Sequence, residues 1–524
     1  MFTRIRIYRS GILLKETPGV TGETILRSIN AAGIFPDAPC GGVGKCGKCL
    51  VRLNSDGEQI LACRTMVEGD TDVYLPDEKE MIITFGESVP YDDNEDAHIH
   101  QGLGAAIDIG TTTVVVHLIE IGTGARIASA SGINAQRSCG ADVMSRIQYC
   151  IDYGHEVLTQ LIREQLALLI RYTCSVSGVL PEDIGRLSIA GNALMEHLAA
   201  GFSPVSMGTA PFSPVSLFGF EISAWESLPV AKSARVYFMP AISSFVGGDV
   251  TAGLLAAGFM SVKKPAIYLD IGTNGEIVLK SGNTYYCCAT AAGPAFEGAE
   301  IVMGMAAVSG AVAHVRWDDR LIVSVIGDCE PCGICGSGLI DVLAILLETG
   351  AVDETGRLLD TNEIDHKIAA NINIVDGKKV LRLTGNSSGV FITETDIRKL
   401  QLAKAAIAAG IQTLLNHTGI KEENVKTFVL AGGFGSFLDM FNAVRIGLFP
   451  RKFLDVAQAL GNTAGEGASI ALCSKTVHTT LEGIRKRCKY IDLSVNPVFN
   501  EQFVEQMMFK TYYPNEQSNS NDST

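Results

Sequence analysis

Three cysteines stand in one short glycine-rich stretch, Cys40-Gly-Gly-Val-Gly-Lys-Cys46-Gly-Lys-Cys49, and a fourth, Cys63, follows in Leu-Ala-Cys-Arg. The spacing C-x5-C-x2-C-x13-C offers four thiolates, which is what a [2Fe–2S] cluster requires, two to each iron. The glycines between them let the backbone curl and aim N–H groups at the sulfurs, which favours the charged reduced state. Structural zinc is the alternative use of four thiolates. Three cysteines in a single glycine loop with strands on either side favour iron and sulfide.

A second chemistry is written twice. Ala105-Ala-Ile-Asp108-Ile-Gly110-Thr111-Thr112-Thr113 and Ala266-Ile-Tyr-Leu-Asp270-Ile-Gly272-Thr273-Asn274 each read as a strand, the tetrad Asp-Ile-Gly-Thr and a second strand, with Asp108 and Asp270 162 residues apart. Such a turn suits phosphate: glycine admits main-chain N–H groups, threonine hydroxyls donate hydrogen bonds, and the aspartate can hold a water of Mg2+. One copy would be an ordinary strand turn. Two copies, followed by the glycine stretch Val429-Leu-Ala-Gly432-Gly433-Phe-Gly435-Ser436, make a strong phosphate-binding constellation.

Several further residues are candidates. Asp249, in Val246-Gly-Gly-Asp-Val-Thr-Ala-Gly253, is expected either to orient an attacking water or to cap a helix. Glu297, in Ala292-Gly-Pro-Ala-Phe-Glu-Gly298, is a candidate for metal or water contact. A helix over 396–416 places Ile397, Leu400, Ala403, Ile407, Ile411 and Leu414 on one stripe, with Lys404 beside it as an adenine contact or a solvated lysine. Cys329-Glu-Pro-Cys332-Gly-Ile-Cys335 has the spacing of [4Fe–4S] proteins but lacks a nearby fourth cysteine, so it reads first as a turn before a helix over 339–348. Cys287 and Cys288 are adjacent and face opposite sides of a strand. Gly42-Val-Gly-Lys-Cys-Gly47 satisfies G-x-G-x-x-G without joining a Rossmann strand to its helix. Asp96-Ala-His98 begins like a cobalamin-binding motif, but Gln101 occupies its glycine position, so no resident corrinoid is expected.

The elements that must position these residues follow from composition and pattern. The 524 residues suggest three or four compact units at about 150 residues each. With 42 basic and 57 acidic side chains the net charge is −15, which argues against a nucleic-acid binder. No apolar run approaches the roughly 18 residues of a membrane span, and the start lacks the apolar core of a signal peptide. The 14 cysteines are therefore expected reduced, in a cytoplasmic protein. The fold expected is α/β and multidomain. Residues 1–85 form a β-rich unit with strands over 3–8, 11–14, 49–53 and 71–75 and a helix over 21–32. An acidic linker spans 86–103. Two α/β halves span 104–262 and 263–513, and a polar disordered tail spans 514–524.

The cysteine spacing resembles the [2Fe–2S] ferredoxins, with a first gap like that of the adrenodoxin branch, which implies a β-grasp domain at the N-terminus. The paired tetrads resemble the ASKHA superfamily of acetate and sugar kinases, heat-shock chaperones and actin. That resemblance implies two RNase H-like halves facing one another across a nucleotide. Residues 108–113 would then be the first phosphate loop, 270–274 the second and 432–435 the adenosine loop, and Asp249 would match a sugar-kinase carboxylate. A one-electron carrier joined to a nucleotide hinge suits an acceptor whose potential lies below that of its donor, about −400 mV for plant-type clusters.

The whole resembles the reductive activators of corrinoid proteins over nearly its full length. Gly140-Ala-Asp-Val-Met-Ser-Arg-Ile147, Ala190-Gly-Asn-Ala-Leu-Met-Glu-His197 and Gly461-Asn-Thr-Ala-Gly-Glu-Gly-Ala468 are similar to that family. The resemblance implies return of Co(II) to Co(I) on the corrinoid protein of a methyltransferase system, driven by ATP hydrolysis. It also implies a homodimer, with its dimer surface in the second half, and an upstream low-potential electron donor. Two rival readings are an activator of a 2-hydroxyacyl-CoA dehydratase and a nucleotide-dependent redox sensor. The first type holds a [4Fe–4S] cluster between subunits and has no N-terminal ferredoxin.

Overall fold

The computed structural model describes residues 2–9, 11–32, 34, 36, 44, 49–55, 57–76, 102–375, 377–385, 389–433, 437–474 and 476–509. The expected linker up to residue 101, the expected tail, Cys40, Cys46 and Gly435 lie outside them.

In strand β1 (Phe2–Arg9) alternation sends Ile5 and Ile7 into the core, while Arg4 and Arg6 turn to Glu16 and Asp72 at 3.3 and 2.6 Å. Strand β2 (Ile12–Val20) runs six residues beyond the expected 11–14. It is an edge strand, so Pro18 takes no ladder bond away. Helix α1 (Ile25–Ala31) starts where the Thr24 hydroxyl accepts the Arg27 N–H, and it lays Ile25, Leu26 and Ile29 on Ile5, Ile7, Val51 and Val73. Strands β3 (Leu50–Arg52), β4 (Gln59–Leu61) and β5 (Thr71–Leu75) complete a mixed sheet in the order β2-β1-β5-β3-β4, with β1 and β5 parallel.

The next stretch opens with an antiparallel meander, β6 (Leu103–Ile109), β7 (Thr113–Glu120) and β8 (Ala125–Ile133). There follow α2 (Val143–Tyr153), α3 (Glu156–Ser177), β9 (Ile184–Gly191), α4 (Ala193–Ala200), β10 (Glu221–Ser223), β11 (Arg235–Phe238) and α5 (Gly248–Ala256). The sheet order is β10-β11-β9-β6-β7-β8, with β6, β9 and β11 parallel. Ile107, Val114, Val116 and Leu118 meet Leu158, Ile162, Leu166 and Ile170 of α3 in its core.

A second meander, β12 (Ala266–Ile271), β13 (Gly275–Ser281) and β14 (Thr284–Thr290), repeats the plan. Two small sheets follow, β15 (Ala311–Trp317), β16 (Leu321–Val325) and β17 (Gly333–Ile334), then β18 (Ile372–Val375), β19 (Lys378–Arg382) and β20 (Phe391–Thr393), with helices α6 (Gly336–Glu348) and α7 (His366–Ala369) between them. Helix α8 (Glu394–Thr418), strand β21 (Thr427–Ala431), helix α9 (Met440–Arg445) and strand β22 (Ala457–Gly461) complete the second sheet, which runs β22-β21-β12-β13-β14 with β12, β21 and β22 parallel. Each half thus has a three-stranded meander whose first strand carries two parallel neighbours on its other side. The repeat expected from the two tetrads is a repeat of topology.

By contact the chain forms two units, Met1–Ser261 with Asn462–Tyr490, and Val262–Gly461 with Ile491–Thr524. Helices α10 (Thr463–Cys473) and α11 (Val477–Arg487) therefore belong to the first unit, where α10 packs on α5, β6 and β9. Helix α12 (Pro497–Met507) belongs to the second and packs on α8. Among the described residues no helix is long and apolar enough to cross a membrane.

Helix α8 buries the expected stripe. Its start is a reciprocal cap: the Thr393 hydroxyl accepts the Asp396 N–H at 3.1 Å, and the Asp396 carboxylate accepts the Thr393 N–H at 3.0 Å and its hydroxyl at 2.7 Å. The other Asp396 oxygen takes the Val302 N–H at 3.0 Å, and Asp396 is fully buried. Asp396→Ala strands these donors, so it is expected to lower the unfolding free energy by about 2–4 kcal/mol. Thr393→Ser keeps the hydroxyl and should cost about 1 kcal/mol or less. Urea unfolding of the two variants checks both.

Candidate functional site

In the first unit the tetrad forms the turn between β6 and β7. The Gly110 N–H donates to the Thr113 carbonyl at 2.8 Å, which closes the turn. The carbonyls of residues 110–112 are taken up from behind. Asn134 donates from its side chain to the Gly110 carbonyl and from its backbone to the Thr112 carbonyl, both at 2.8 Å. The Arg146 guanidinium donates to the Thr111 carbonyl and also to the Gly140 carbonyl at 2.9 Å and Gln136 Oε1 at 3.2 Å. Asn192 donates to Thr111 Oγ1 at 2.9 Å, while its own Oδ1 accepts the Met195 N–H at 3.0 Å and caps α4. Arg146 and Asn134 are fully buried. The backbone of this loop is therefore fixed before any ligand arrives, which is what an anion-binding turn needs.

Asp108 occupies the end of β6 opposite Val115. Asp249 lies in the first turn of α5, with its Oδ1 accepting the Val250 N–H at 2.8 Å. The N-cap position belongs to Gly247, so the capping alternative for Asp249 does not hold.

In the second unit the tetrad turns between β12 and β13, and the Gly272 N–H donates to the Asn274 carbonyl at 2.9 Å. The Thr273 hydroxyl donates to Glu297 Oε2 at 2.9 Å, so Glu297 joins this loop. Gly432, at the end of β21, has φ +92°, and a β-carbon there would fall 2.7 Å from Asp270 Oδ1 and 2.6 Å from the Ile271 carbonyl. Only glycine fits so close to the aspartate. The structure thus gathers Asp270, Gly272, Thr273, Glu297 and Gly432, with Gly433 next in the chain. Burial pushes the Asp270 carboxyl up to about 6, against a hydrogen bond from the Tyr268 hydroxyl at 3.2 Å that favours its charge.

Lys404 is not exposed to solvent. Its side chain is buried, its ammonium donates to the Met508 carbonyl at 3.0 Å, and it lies 4.8 Å from the Phe509 ring centroid. It ties α8 to the segment after α12, so it is not a solvated charge.

In the N-terminal sheet Cys49 immediately precedes β3 and Cys63 follows β4. The Ala62 N–H donates to the Cys49 carbonyl at 2.8 Å, so the hairpin brings the two cysteines to adjoining ends. Both are buried and neither is in a disulfide. The Arg64 guanidinium donates to the Gly44 carbonyl at 2.6 Å, which ties Gly44 to the residue after Cys63. These features fit a group held by thiolates. Cys40 and Cys46 lie outside the described residues. Cys329 and Cys332 are exposed, whereas Cys335 is buried with its thiol on the Val312 carbonyl. Among the described residues no three His, Cys, Asp or Glu side chains are grouped to hold a metal ion.

Asn134, Arg146 and Asn192 were not among the expected site residues. Two of them sit inside the stretches 140–147 and 190–197, whose only signal was resemblance. Asn192→Asp separates two roles: aspartate caps a helix as well as asparagine but cannot donate to Thr111. It is expected to leave the thermal midpoint near wild type while weakening ATP binding about tenfold, the worth of one hydrogen bond of about 1–1.5 kcal/mol. Calorimetric titration with ATP measures this.

Residues 103–262 match the family described as the RACo middle region, and residues 264–520 match that described as the C-terminal domain of RACo, the ASKHA domain. The chain is 31% identical over 588 residues to the corrinoid activation enzyme RamQ of Eubacterium limosum, covering 95% of this chain and 98% of that protein. It is 25% identical over 447 residues to the [Co(II) methylated amine-specific corrinoid protein] reductase of Methanosarcina barkeri, covering 78% and 77%. Among solved structures, a reductive activator for corrinoid, iron-sulfur protein superposes with a TM-score of 0.71 at 29% identity, over 97% of this chain and 98% of that one. Through both of its α/β halves, the chain belongs to the RACo family of reductive activators of corrinoid proteins.

Proposed function

We propose that this protein couples ATP hydrolysis to delivery of one electron to a corrinoid protein of a methyltransferase system, returning Co(II) to Co(I). The observation that carries the reading is a rear-clamped Asp-Ile-Gly-Thr turn and its topological repeat in one chain with a hairpin that brings two buried cysteines to adjoining strand ends. The names of the similar proteins, a corrinoid activation enzyme and a Co(II) corrinoid protein reductase, support the substrate class.

Each residue has a part in this reading. Cys40, Cys46, Cys49 and Cys63 hold a [2Fe–2S] cluster, which supplies one-electron chemistry when bound. Gly110, Thr111, Thr112 and Thr113 bind phosphate oxygens, as do Gly272, Thr273 and Asn274. Asp108 and Asp270 hold waters of Mg2+, and Gly432, Gly433 and Gly435 receive the adenosine. Asp249 orients the attacking water, and Glu297 holds the Thr273 hydroxyl in place. Binding and hydrolysis then switch the ATPase halves between arrangements, and the partner's acceptor site responds. The active form is a homodimer, recharged by an external low-potential donor.

The deciding measurement is anaerobic absorption spectroscopy of a Co(II) corrinoid protein mixed with this protein and a reductant. The Co(I) band should rise only with ATP present. Full reduction without nucleotide would overturn the coupling. Asp249→Ala, folded as judged by circular dichroism, should lower ATP turnover by about 10²–10⁴-fold. Because the Asp270 carboxyl takes up its proton near pH 6, protons compete with the cation below that value. Mg2+-dependent ATP affinity should then fall about tenfold for each further pH unit, and Asp270→Asn should remove that slope.

A further inference from the structure

Glu196 lies on α4, in the turn that Asn192 caps. Its side chain is fully buried, and neither oxygen has a hydrogen-bond partner in good geometry. The backbone of Gly248 on α5 comes nearest: a β-carbon at 248 would fall 2.3 Å from Glu196 Oε1. The starts of the two helices touch as well, since a β-carbon at Gly247 would fall 2.5 Å from the Ala193 nitrogen. Glu196 therefore bears on the residue immediately before Asp249.

The titratable groups that face it are Asp249 from α5 and Tyr237 from β11. Tyr237 in turn stacks on His478 of α11 at 3.8 Å, with Glu221, Glu482 and Arg485 acting on its hydroxyl. The neighbouring His197 ring is engaged elsewhere, with Nδ1 on the Ala193 carbonyl and Nε2 accepting the Val215 and Ser216 N–H groups. No cation on these elements compensates a charge on Glu196 directly. An enclosed carboxylate that only the Gly248 N–H approaches is unstable when ionised, and the Asp249 charge makes ionisation harder still.

We infer that Glu196 is a positioning residue that holds a proton against the first turn of α5, so that Asp249 carries the sole negative charge of the pair. This rests on the reading of Asp249 as the residue that orients the attacking water. As the water oxygen bonds to the γ-phosphorus and the bond to the β–γ bridging oxygen breaks, the water's proton passes to Asp249 and Glu196 keeps its own. Burial, then the Asp249 charge, pushes the Glu196 carboxyl well above the usual carboxylate range. Once it ionises at alkaline pH, two charges stand side by side, the incoming triphosphate is repelled and turnover falls.

The test is the pH profile of ATP turnover in the full-length protein beside Glu196→Gln, whose amide has the same shape and cannot ionise. Wild type should show an alkaline limb falling about tenfold per pH unit, and Glu196→Gln should lose that limb while keeping the acid one. Infrared spectra of protein carrying 13C-labelled glutamate should show a protonated carboxyl stretch at neutral pH that disappears in Glu196→Gln. The same alkaline limb in Glu196→Gln, or no such band in wild type, overturns the inference. If the variant does not fold, the labelled wild type decides alone, because a missing band refutes the held proton. Asp249→Asn separates the two readings. Full turnover in Asp249→Asn removes the Asp249 role and this inference with it, whereas lost turnover beside an unaltered limb in Glu196→Gln removes only the part assigned to Glu196.

Discussion

A turn that offers its N–H groups to an anion must bury its own carbonyls against donors, or it pays for them in lost hydrogen bonds. The first Asp-Ile-Gly-Thr turn meets this constraint with Asn134 and Arg146, while Asn192 holds the Thr111 hydroxyl, and the three are drawn from different elements. The placement of the surrounding helices follows. Helix α2 has to bring Arg146 behind the loop, and α4 has to start at Asn192. The segment after β8 has to bend so that Asn134 reaches back to Gly110.

The second turn has the same strands around it and different electrostatics. Both turns follow an aspartate, Asp108 or Asp270, but the first is backed by a buried guanidinium, whereas in the second the Thr273 hydroxyl is held by Glu297. A buried positive group favours a phosphate, and carboxylates favour a hydrated cation between themselves and a phosphate. Two copies of one topology have therefore diverged in the charge placed behind the turn, and the tetrad alone shows nothing of that divergence.

The parts that were legible in the sequence are local. The tetrads, the alternation in β1 and the apolar stripe of α8 are each set by a run of a few residues, and the structure has them where the pattern puts them. What was hidden depends on partners far along the chain. Lys404 reads as an adenine contact or a solvated lysine until the segment after α12 is seen to cover it, and the burial of Glu196 depends on α5, some fifty residues on. The extension of β2 through Pro18 was hidden for a related reason, because proline is harmless only on an edge strand, and edges are decided by topology. For the cysteine hairpin the spacing named all four candidates, and the structure adds Arg64, whose hold on Gly44 no motif would have signalled.

The chain leaves its first unit at Ser261 and comes back to it only at Asn462, with α10 lying on α5, β6 and β9. During synthesis the apolar face that α10 covers is therefore bare while residues 262–461 of the second unit are being translated. At about 5–20 residues per second that interval lasts on the order of ten seconds or more. The nascent first unit must wait on the ribosome for its last helices, and a transcript truncated before residue 490 yields a polypeptide that chaperones and proteases would treat as incomplete.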